Sequence, residues 1–158
     1  MAFSFFAGLR AIEIASLKIS NVFGSDNTVN DTIVLSAEQT KGNRSNVLHI
    51  GKKLQREIQS FVAQHPHTTK NRESRLLRTQ RGEFSSQSIQ NLFRHLYQLA
   101  NIAHASSHSG RRTFITNLSE KGISTRVIQE LARHSSMVTT QRYIDVSQDK
   151  LKNAVNMI

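Results

Sequence analysis

A tyrosine, two histidines and an arginine in the last third of the chain could together attack a phosphodiester. They are His108, Arg111, His134 and Tyr143. The tyrosine can supply a nucleophilic oxygen, while the histidines and the arginine can supply protons and positive charge. Such cations are needed because negative charge accumulates on the nonbridging oxygens in the transition state. These residue types therefore indicate phosphoryl-transfer chemistry.

Two further cations, Arg10 and Lys41, are candidates for the same site. Arg10 lies in a largely apolar segment, and Glu13, three residues later, could fix the direction of its side chain. An ordinary surface ion pair explains that spacing equally well. Lys41 stands beside Gly42 at the tip of a predicted hairpin, from which its amine could reach a neighbouring groove. Taken alone, an ordinary solvated lysine is the simpler interpretation.

The candidates predict a division of roles. Arg10 and Arg111 can bind the nonbridging oxygens in forked geometry. Tyr143 needs help to lose its proton, since the pKa of tyrosine is ordinarily about 10, and His108 is the nearest candidate base. Lys41 could protonate the leaving oxygen.

The sequence predicts neither a metal nor another cofactor. It lacks the carboxylate cluster that is typical of two-metal nucleases. His65 and His67 flank Pro66, but no third ligand stands near them in the sequence. The chain has no cysteine, which excludes disulfides and thiolate metal sites and leaves the cytoplasm as the default compartment.

The charge balance predicts a polyanionic partner. Lysine and arginine number 21 against 11 aspartate and glutamate, which gives a net charge of +10 over 158 residues. The basic residues recur along the whole chain, and double-stranded DNA is the expected partner. No apolar run reaches the roughly 18 residues that a membrane span needs, so no membrane association is expected.

Hydrophobic periodicity predicts one mainly α domain with a small three-stranded antiparallel sheet, an α+β fold. The predicted strands are residues 19–23, 32–39 and 46–50. The predicted helices are two pieces within residues 3–17 that meet at Gly8, then residues 52–64, 85–100, 110–121 and 127–133, and a final helix. An apolar stripe on that last helix could pack within the chain or on a neighbouring subunit; it consists of Leu151, Ala154, Val155 and Ile158.

Five separated motifs resemble, in order and spacing, those of the tyrosine recombinases, the phage integrase family. They are Gly8-Leu-Arg-Ala-Ile-Glu-Ile, Thr40-Lys-Gly-Asn-Arg-Ser, His108-Ser-Gly-Arg-Arg-Thr-Phe, Leu131-Ala-Arg-His-Ser-Ser and Thr140-Gln-Arg-Tyr. The resemblance covers nearly the whole chain. A single His-x-x-Arg would be a weak signal, whereas this ordered set is specific.

The resemblance implies a site-specific DNA recombinase, an enzyme of DNA integration and recombination in mobile elements. In such enzymes the tyrosine attacks the scissile phosphate and forms a 3′-phosphotyrosyl link, without ATP or metal. By the same resemblance Arg10 and Arg111 hold the phosphate, Lys41 is the general acid, and His108 and His134 assist. It further implies that the final helix docks on a neighbouring protomer in a DNA-bound homotetramer.

Three positions depart from the family pattern. Arg112 stands where a second histidine is usual, Gly110 where leucine is common, and Arg133 where glycine usually precedes the second histidine. None of these changes removes a catalytic group. Because family members generally carry a DNA-binding domain before the catalytic one, residues 1–158 are expected to form a single catalytic domain without the N-terminal core-binding domain.

Two other functions remain open at this point. A type IB topoisomerase uses similar chemistry but reseals the same strand. A non-catalytic DNA-binding or regulatory module derived from an integrase would bind DNA without cutting it. Arg133 and the expected lack of a partner domain motivate this second alternative.

Overall fold

The computed structural model describes residues 1–40, 42–66, 70–79, 82–144, 151–152 and 155–156. In these ranges the chain is mainly helical with two small antiparallel sheets, which confirms the predicted α+β class. The helices are α1 (Ala2–Ala7), α2 (Ala11–Ser16), α3 (Ile19–Val22), α4 (Lys52–Gln64), α5 (Ser86–Leu99), α6 (Ser109–Glu120), α7 (Thr125–Ala132) and α8 (Met137–Gln141). The strands are β1 (Thr32–Leu35), β2 (Asn46–His49), β3 (Arg78–Thr79) and β4 (Gly82–Glu83), and a 3-10 helix, Ala37–Gln39, follows β1.

The predicted break between the first two helices occurs at Gly8. This residue adopts a left-handed conformation, with φ 61°, and its N–H donates to Ser4 O at 3.1 Å. A Cβ atom added to Gly8 would lie 2.7 Å from a ring carbon of Phe114. Glycine is therefore required both by the backbone angle and by the close approach of α6.

The prediction of three strands was wrong in number. Residues 19–23, expected to form a strand, instead contain α3, and Phe23 makes only an isolated bridge with Val29. Ile19, Val22 and Phe23 are all buried, and their spacing of three and four residues follows the helical period. At the start of α3 the Asn21 side chain accepts the main-chain N–H of Lys18 at 2.9 Å, which satisfies a free helix donor.

The two remaining predicted strands pair as an antiparallel hairpin. In the register of β1 and β2, Ile33 faces Leu48 in the core, while Val34 faces Val47 on the exposed side. The predicted strand 32–39 ends early because the 3-10 helix begins at Ala37. The second sheet, β3 with β4, was not predicted.

Two apolar clusters support the fold. The larger one packs α1, α2, α4 and α5 with the inner face of the β1–β2 hairpin. The smaller one consists of Ile115, Ile128 and Ala132, with Tyr143 packed against it. Helix α6 joins the two because it lies close along α1: a Cβ added to Gly110 would come within 2.8 Å of Ser4 Oγ. This contact explains why the leucine that is common in the family would not fit at position 110.

The predicted final helix is only partly within the described residues. Leu151, Lys152 and Val155 are helical and exposed. Ala154 and Ile158, the other members of the predicted stripe, lie outside the described residues. Docking of this helix on a neighbour therefore stays a prediction.

Candidate active site

Five of the six predicted catalytic residues line one cleft of about 180 Å³. The lining residues are Arg10, His108, Arg111, Arg112, Ile115, His134, Thr139 and Tyr143. Lys41, the sixth candidate, lies outside the described residues. The cleft is bounded by the start of α2, the start of α6 and the segment that runs from the end of α7 past α8. Segments far apart in the sequence thus meet at one place.

Arg10 stands at the N-terminus of α2, and Glu13, one turn later, orients it. The main-chain N–H of Arg10 donates to Glu13 Oε2 at 2.8 Å, and Arg10 Nη1 donates to Glu13 Oε1 at 3.0 Å. Arg10 Nη2 donates to the main-chain oxygen of Arg133 at 3.3 Å. The Arg10 side chain remains 23% exposed, so a ligand in the cleft can reach it.

Glu13 is a fully buried carboxylate between two guanidinium groups. Its second partner is Arg133, whose Nη2 donates to Oε2 at 3.0 Å. Burial alone would raise the pKa of Glu13. The Arg133 charge, the Arg10 main-chain N–H, and the Arg10 and Arg111 charges outweigh burial and hold the pKa below its usual range. Glu13 is therefore ionised at neutral pH and offsets part of the positive charge behind the cleft.

Arg111 lies in the first turn of α6 and is only 5% exposed. Its Nη1 donates to the main-chain oxygen of Gly8, and its Nη2 donates to that of Ala132. Burial, followed by the charges of Arg10 and Arg133, lowers the pKa of Arg111 to about 9. The group still carries its charge at pH 7. Two of the five N–H donors of the guanidinium are used in these bonds, so it can hold the fold together and still offer donors to a ligand.

His134 follows the left-handed turn at Arg133 that ends α7. Its main-chain N–H donates to Gln129 O at 3.1 Å, and Gln129 Nε2 donates to His134 O, also at 3.1 Å. Its Nδ1 is hydrogen bonded to the hydroxyl of buried Thr140 at 2.9 Å. Burial, then the charges of Arg111, Arg10 and Arg133, lowers the pKa of His134 to about 4. The imidazole is therefore neutral at pH 7, with Nε2 on the other side of the ring from Thr140.

Tyr143 and His108 reach the cleft from less buried positions than Arg111. Tyr143 follows α8, its N–H donates to Thr140 O at 3.0 Å, and it is half-buried. Its ring centroid lies 6.2 Å from that of His134. His108 is exposed at the N-terminus of α6, where its main-chain oxygen accepts the N–H of Arg112 at 2.9 Å.

Sequence reasoning missed three residues of this cleft and its surroundings. Thr140 orients His134, Thr139 lines the cleft, and Arg133 is the second partner of Glu13. The position of Arg133 was noted as a departure from the family, but nothing in the sequence indicates its contact with Glu13, 120 residues away. A hydroxyl run beside the tyrosine was the available signal for the two threonines.

The described residues contain no group of three or more histidine, cysteine, aspartate or glutamate side chains that could hold a metal ion. None of the helices in the same ranges is both long enough and apolar enough to cross a membrane.

Curated relatives resemble the chain over nearly its whole length. The tyrosine recombinase XerC of Pelobacter propionicus is 30% identical over 147 residues, which cover 92% of the chain and 46% of the relative. A tyrosine recombinase of Agathobacter rectalis is 31% identical over 94% of the chain and 47% of the relative. The tyrosine recombinase XerA of Thermococcus kodakarensis is 30% identical, with coverage of 94% and 50%. The chain thus spans about half the length of these relatives.

Solved structures share the fold. A crystal structure of XerA recombinase superposes with a TM-score of 0.76 at 23% identity, over 99% of the chain and 54% of that protein. The Tn1549 transposon integrase, solved with a circular intermediate DNA, gives 0.71 at 15% identity, with coverage of 99% and 57%. XerH bound to a palindromic difH substrate gives 0.71 at 18% identity, with coverage of 98% and 43%.

Family membership follows from a match to the family as a whole, in addition to the similarity to single proteins. The sequence profile of the phage integrase family matches residues 1–150, which is almost the entire chain. The five motifs, the fold and this match agree, and the chain belongs to the phage integrase family.

Proposed function

We propose that residues 1–158 form the catalytic domain of a tyrosine site-specific recombinase, which cuts and rejoins DNA strands through a 3′-phosphotyrosyl intermediate. The observation that carries the proposal is the single cleft that contains Arg10, Arg111, His108 and His134 together with Tyr143. A phenol surrounded by fixed cations suits an in-line attack on a phosphodiester.

In the proposed reaction the Tyr143 oxygen attacks the scissile phosphorus and loses its proton. The bond from phosphorus to the 5′ oxygen breaks, and that oxygen leaves as a hydroxyl after it takes up a proton. Arg10 and Arg111 bind the nonbridging oxygens, where charge develops. Attack by a free 5′-hydroxyl on the phosphotyrosyl bond reverses these steps and rejoins a strand.

The two histidines and Lys41 are assigned to the proton transfers from the chemistry of their side chains. Neutral His134 can form a hydrogen bond through Nε2, as donor or acceptor according to its tautomer, and His108 is the candidate base for the Tyr143 proton. Lys41 is proposed as the general acid that protonates the leaving 5′ oxygen. This role rests on the family motif, Thr40-Lys-Gly-Asn-Arg-Ser.

The proposed partner is double-stranded DNA, and the proposed compartment is the cytoplasm. A net charge of +10 favours binding to phosphates, so we expect affinity that falls steeply with salt and depends weakly on sequence. A footprint at one sequence that survives raised salt would contradict this expectation. We also propose that the final helix joins protomers into a tetramer on DNA.

The decisive experiment uses a nicked suicide DNA substrate, which traps the covalent intermediate. The wild-type chain should become attached to DNA, and Tyr143→Phe should lose the adduct completely. The matched control is Tyr97→Phe, because Tyr97 and Tyr143 are the only tyrosines and Tyr97 is buried in α5. That variant should keep the adduct.

Other outcomes identify the alternatives. Relaxation of supercoiled plasmid without recombinant products would favour a topoisomerase. Strong DNA binding without an adduct on supercoiled, nicked or cognate DNA would favour a non-catalytic binding module. An adduct that persists in Tyr143→Phe would exclude the proposed nucleophile.

A further inference from the structure

Arg133 combines an unusual backbone with a buried charge. It adopts φ 55° and ψ 46°, a left-handed conformation that glycine adopts freely and that other residues adopt rarely. The other described residues with positive φ, apart from glycine, are Asn27, Asn43, Asn101 and His104. Those four are types enriched in this conformation, and all are exposed. The side chain of Arg133, in contrast, is only 5% exposed.

The buried side chain makes bonds to four separate groups. Arg133 Nη1 donates to Leu131 O at 2.9 Å and to Ala7 O at 3.5 Å. Its Nη2 donates to Gly8 O at 3.1 Å and to Glu13 Oε2 at 3.0 Å. The bond to Leu131 holds the turn to its own helix, α7. The other three tie the turn to the junction of α1 and α2. A glycine at position 133 would allow the same turn but could make none of these bonds.

The bonds close into a ring that includes a proposed catalytic residue. Arg133 holds Oε2 of Glu13, Glu13 Oε1 accepts Arg10 Nη1 at 3.0 Å, and Arg10 Nη2 donates to Arg133 O at 3.3 Å. Gly8 O, one of the acceptors of Arg133, also accepts Arg111 Nη1. The ring therefore connects both proposed phosphate-binding arginines to the turn that carries His134.

We propose that Arg133 is a positioning residue, which fixes the direction of Arg10 through the shared carboxylate of Glu13. Arg133 keeps one carboxylate oxygen in place, so that the other meets the Arg10 guanidinium from a single direction. This inference rests on the proposed function, in which Arg10 binds the scissile phosphate. A displacement of about 1 Å at such a group can cost up to about 100-fold in rate.

The competing explanation is that only the backbone conformation at position 133 is important. The two explanations make opposite predictions for the rate of adduct formation in Arg133→Gly. Arg133→Gly relaxes the backbone and removes the side-chain bonds, whereas Arg133→Ala removes the bonds and keeps the unfavourable φ. If Arg133 positions Arg10, both variants should form the phosphotyrosyl adduct about 10- to 100-fold more slowly than wild type. Their affinity for DNA should stay within about twofold. If only the turn matters, Arg133→Gly should be as fast as wild type, and that result would overturn the proposal.

Two further variants complete the test. Arg133→Lys keeps the positive charge but loses the two separate donor nitrogens of the guanidinium. It should form the adduct faster than Arg133→Gly and more slowly than wild type. Arg56→Ala is the control, since Arg56 is an exposed arginine on α4, outside the cleft; its rate should equal that of wild type. Should Arg133→Gly fail to fold, Arg133→Lys decides alone: a reduced rate at unchanged DNA affinity supports the proposal, and the wild-type rate contradicts it.

A spectroscopic readout separates this inference from the proposed function. In ¹⁵N NMR spectra the Arg10 Nε–H signal, assigned with Arg10→Lys, should be sharp in the wild type and broadened in Arg133→Gly or, if needed, Arg133→Lys. If the wild-type chain forms no adduct, the proposed function fails while this measurement still decides the positioning. An Arg10 signal that is unaffected by the substitution overturns the inference.

Discussion

The cleft has two sides that are built differently. Its floor consists of Arg10, Arg111 and His134, which hydrogen bond to main-chain oxygens, to buried Glu13 or to buried Thr140. Its rim consists of His108, Arg112 and Tyr143. Of these, His108 and Arg112 are exposed, and Tyr143 is half-buried just after the five-residue helix α8.

The floor provides positive charge in a fixed arrangement. The floor cations are fixed by bonds between segments more than 100 residues apart, such as Arg111 to Gly8 and Arg10 to Arg133. Their orientation is thus a property of the folded chain and needs no reorganisation when a phosphate arrives. On the rim, the main-chain N–H groups of Arg112 and Tyr143 donate instead to nearby residues, His108 and Thr140. Substitutions in the floor should therefore affect stability as well as activity, and those in the rim should affect mainly activity.

The largest effect is expected at Glu13, which is fully buried. Glu13→Gln keeps the shape but leaves the charges of Arg10 and Arg133 without their carboxylate. Breaking a buried ion pair typically costs about 3 to 5 kcal/mol in the free energy of unfolding. We expect about 3 kcal/mol here, at the lower end of that range, because water reaches the partly exposed Arg10 and reduces the cost. Urea denaturation at pH 7 measures this loss.

The control for that prediction is an exposed pair of the same type. Glu130 pairs with Arg126 at 2.7 Å, and both side chains are about two-thirds exposed. Glu130→Gln should change the free energy of unfolding by less than about 0.5 kcal/mol. Equal losses for the two variants would show that the Glu13 network is no stronger than a surface ion pair.

The second prediction compares neighbouring arginines on α6, one in the floor and one in the rim. Arg111→Lys cannot keep both main-chain bonds and still donate to a phosphate, so adduct formation should slow by about 100-fold or more. Arg112→Lys keeps the charge at an exposed position and should slow the reaction less than about tenfold. Single-turnover kinetics on the suicide substrate measure both rates. Similar losses in the two variants would contradict the distinction between floor and rim.

The third prediction concerns Gly8, whose main-chain oxygen accepts bonds from Arg111 and Arg133. Gly8→Ala combines an unfavourable φ of 61° with a contact of 2.7 Å to Phe114, and we expect a loss of about 2 kcal/mol. Gly122→Ala is the control, because it has φ 74° but open space, and it should lose only about 1 kcal/mol. Thermal unfolding of both variants measures the difference. If Gly122→Ala is equally destabilised, the backbone angle alone accounts for the effect.

Sequence reasoning could predict the helices because their apolar residues repeat with the helical period. The stop at Gly8 and the start of α5 at Ser85 are local signals, and the structure bears out both. The failure at residues 19–23 has a local cause as well, since five residues with only three apolar ones, Ile19, Val22 and Phe23, are too few to tell a strand from a helical turn.

The site was predictable only where a motif marks it. Arg10, His108, Arg111, His134 and Tyr143 stand in motifs, and the fold gathers them in one cleft. The partnership of Glu13 with Arg133 depends on how α1, α2 and α7 pack, because it joins residues that no local pattern relates. Long-range polar networks of this kind follow from tertiary packing, and periodicity carries no information about them.

The smallest effect is expected at His134, where the charge of the floor acts on a titrating group. Its pKa of about 4 lies below the ordinary value of 6.5, because burial and then the charges of Arg111, Arg10 and Arg133 disfavour the imidazolium. Between pH 6.5 and pH 4 the unfolded chain binds a proton that the folded chain does not. Acidification through this window therefore lowers the free energy of unfolding.

Because His134 is partly exposed, we expect the free energy of unfolding to fall by only about 1 kcal/mol between pH 6.5 and pH 4 through this group. His134→Gln should remove this pH dependence. The stability that Glu13 provides changes in the same direction but at lower pH: its pKa is lowered from 4.5, so this contribution is present above pH 4.5 and is lost at lower pH. NMR titration should give a His134 midpoint near pH 4, and Arg10→Gln should raise it. A wild-type midpoint near pH 6.5 would mean that the floor cations do not act on the imidazole, and that floor and rim differ in burial but not in electrostatic field.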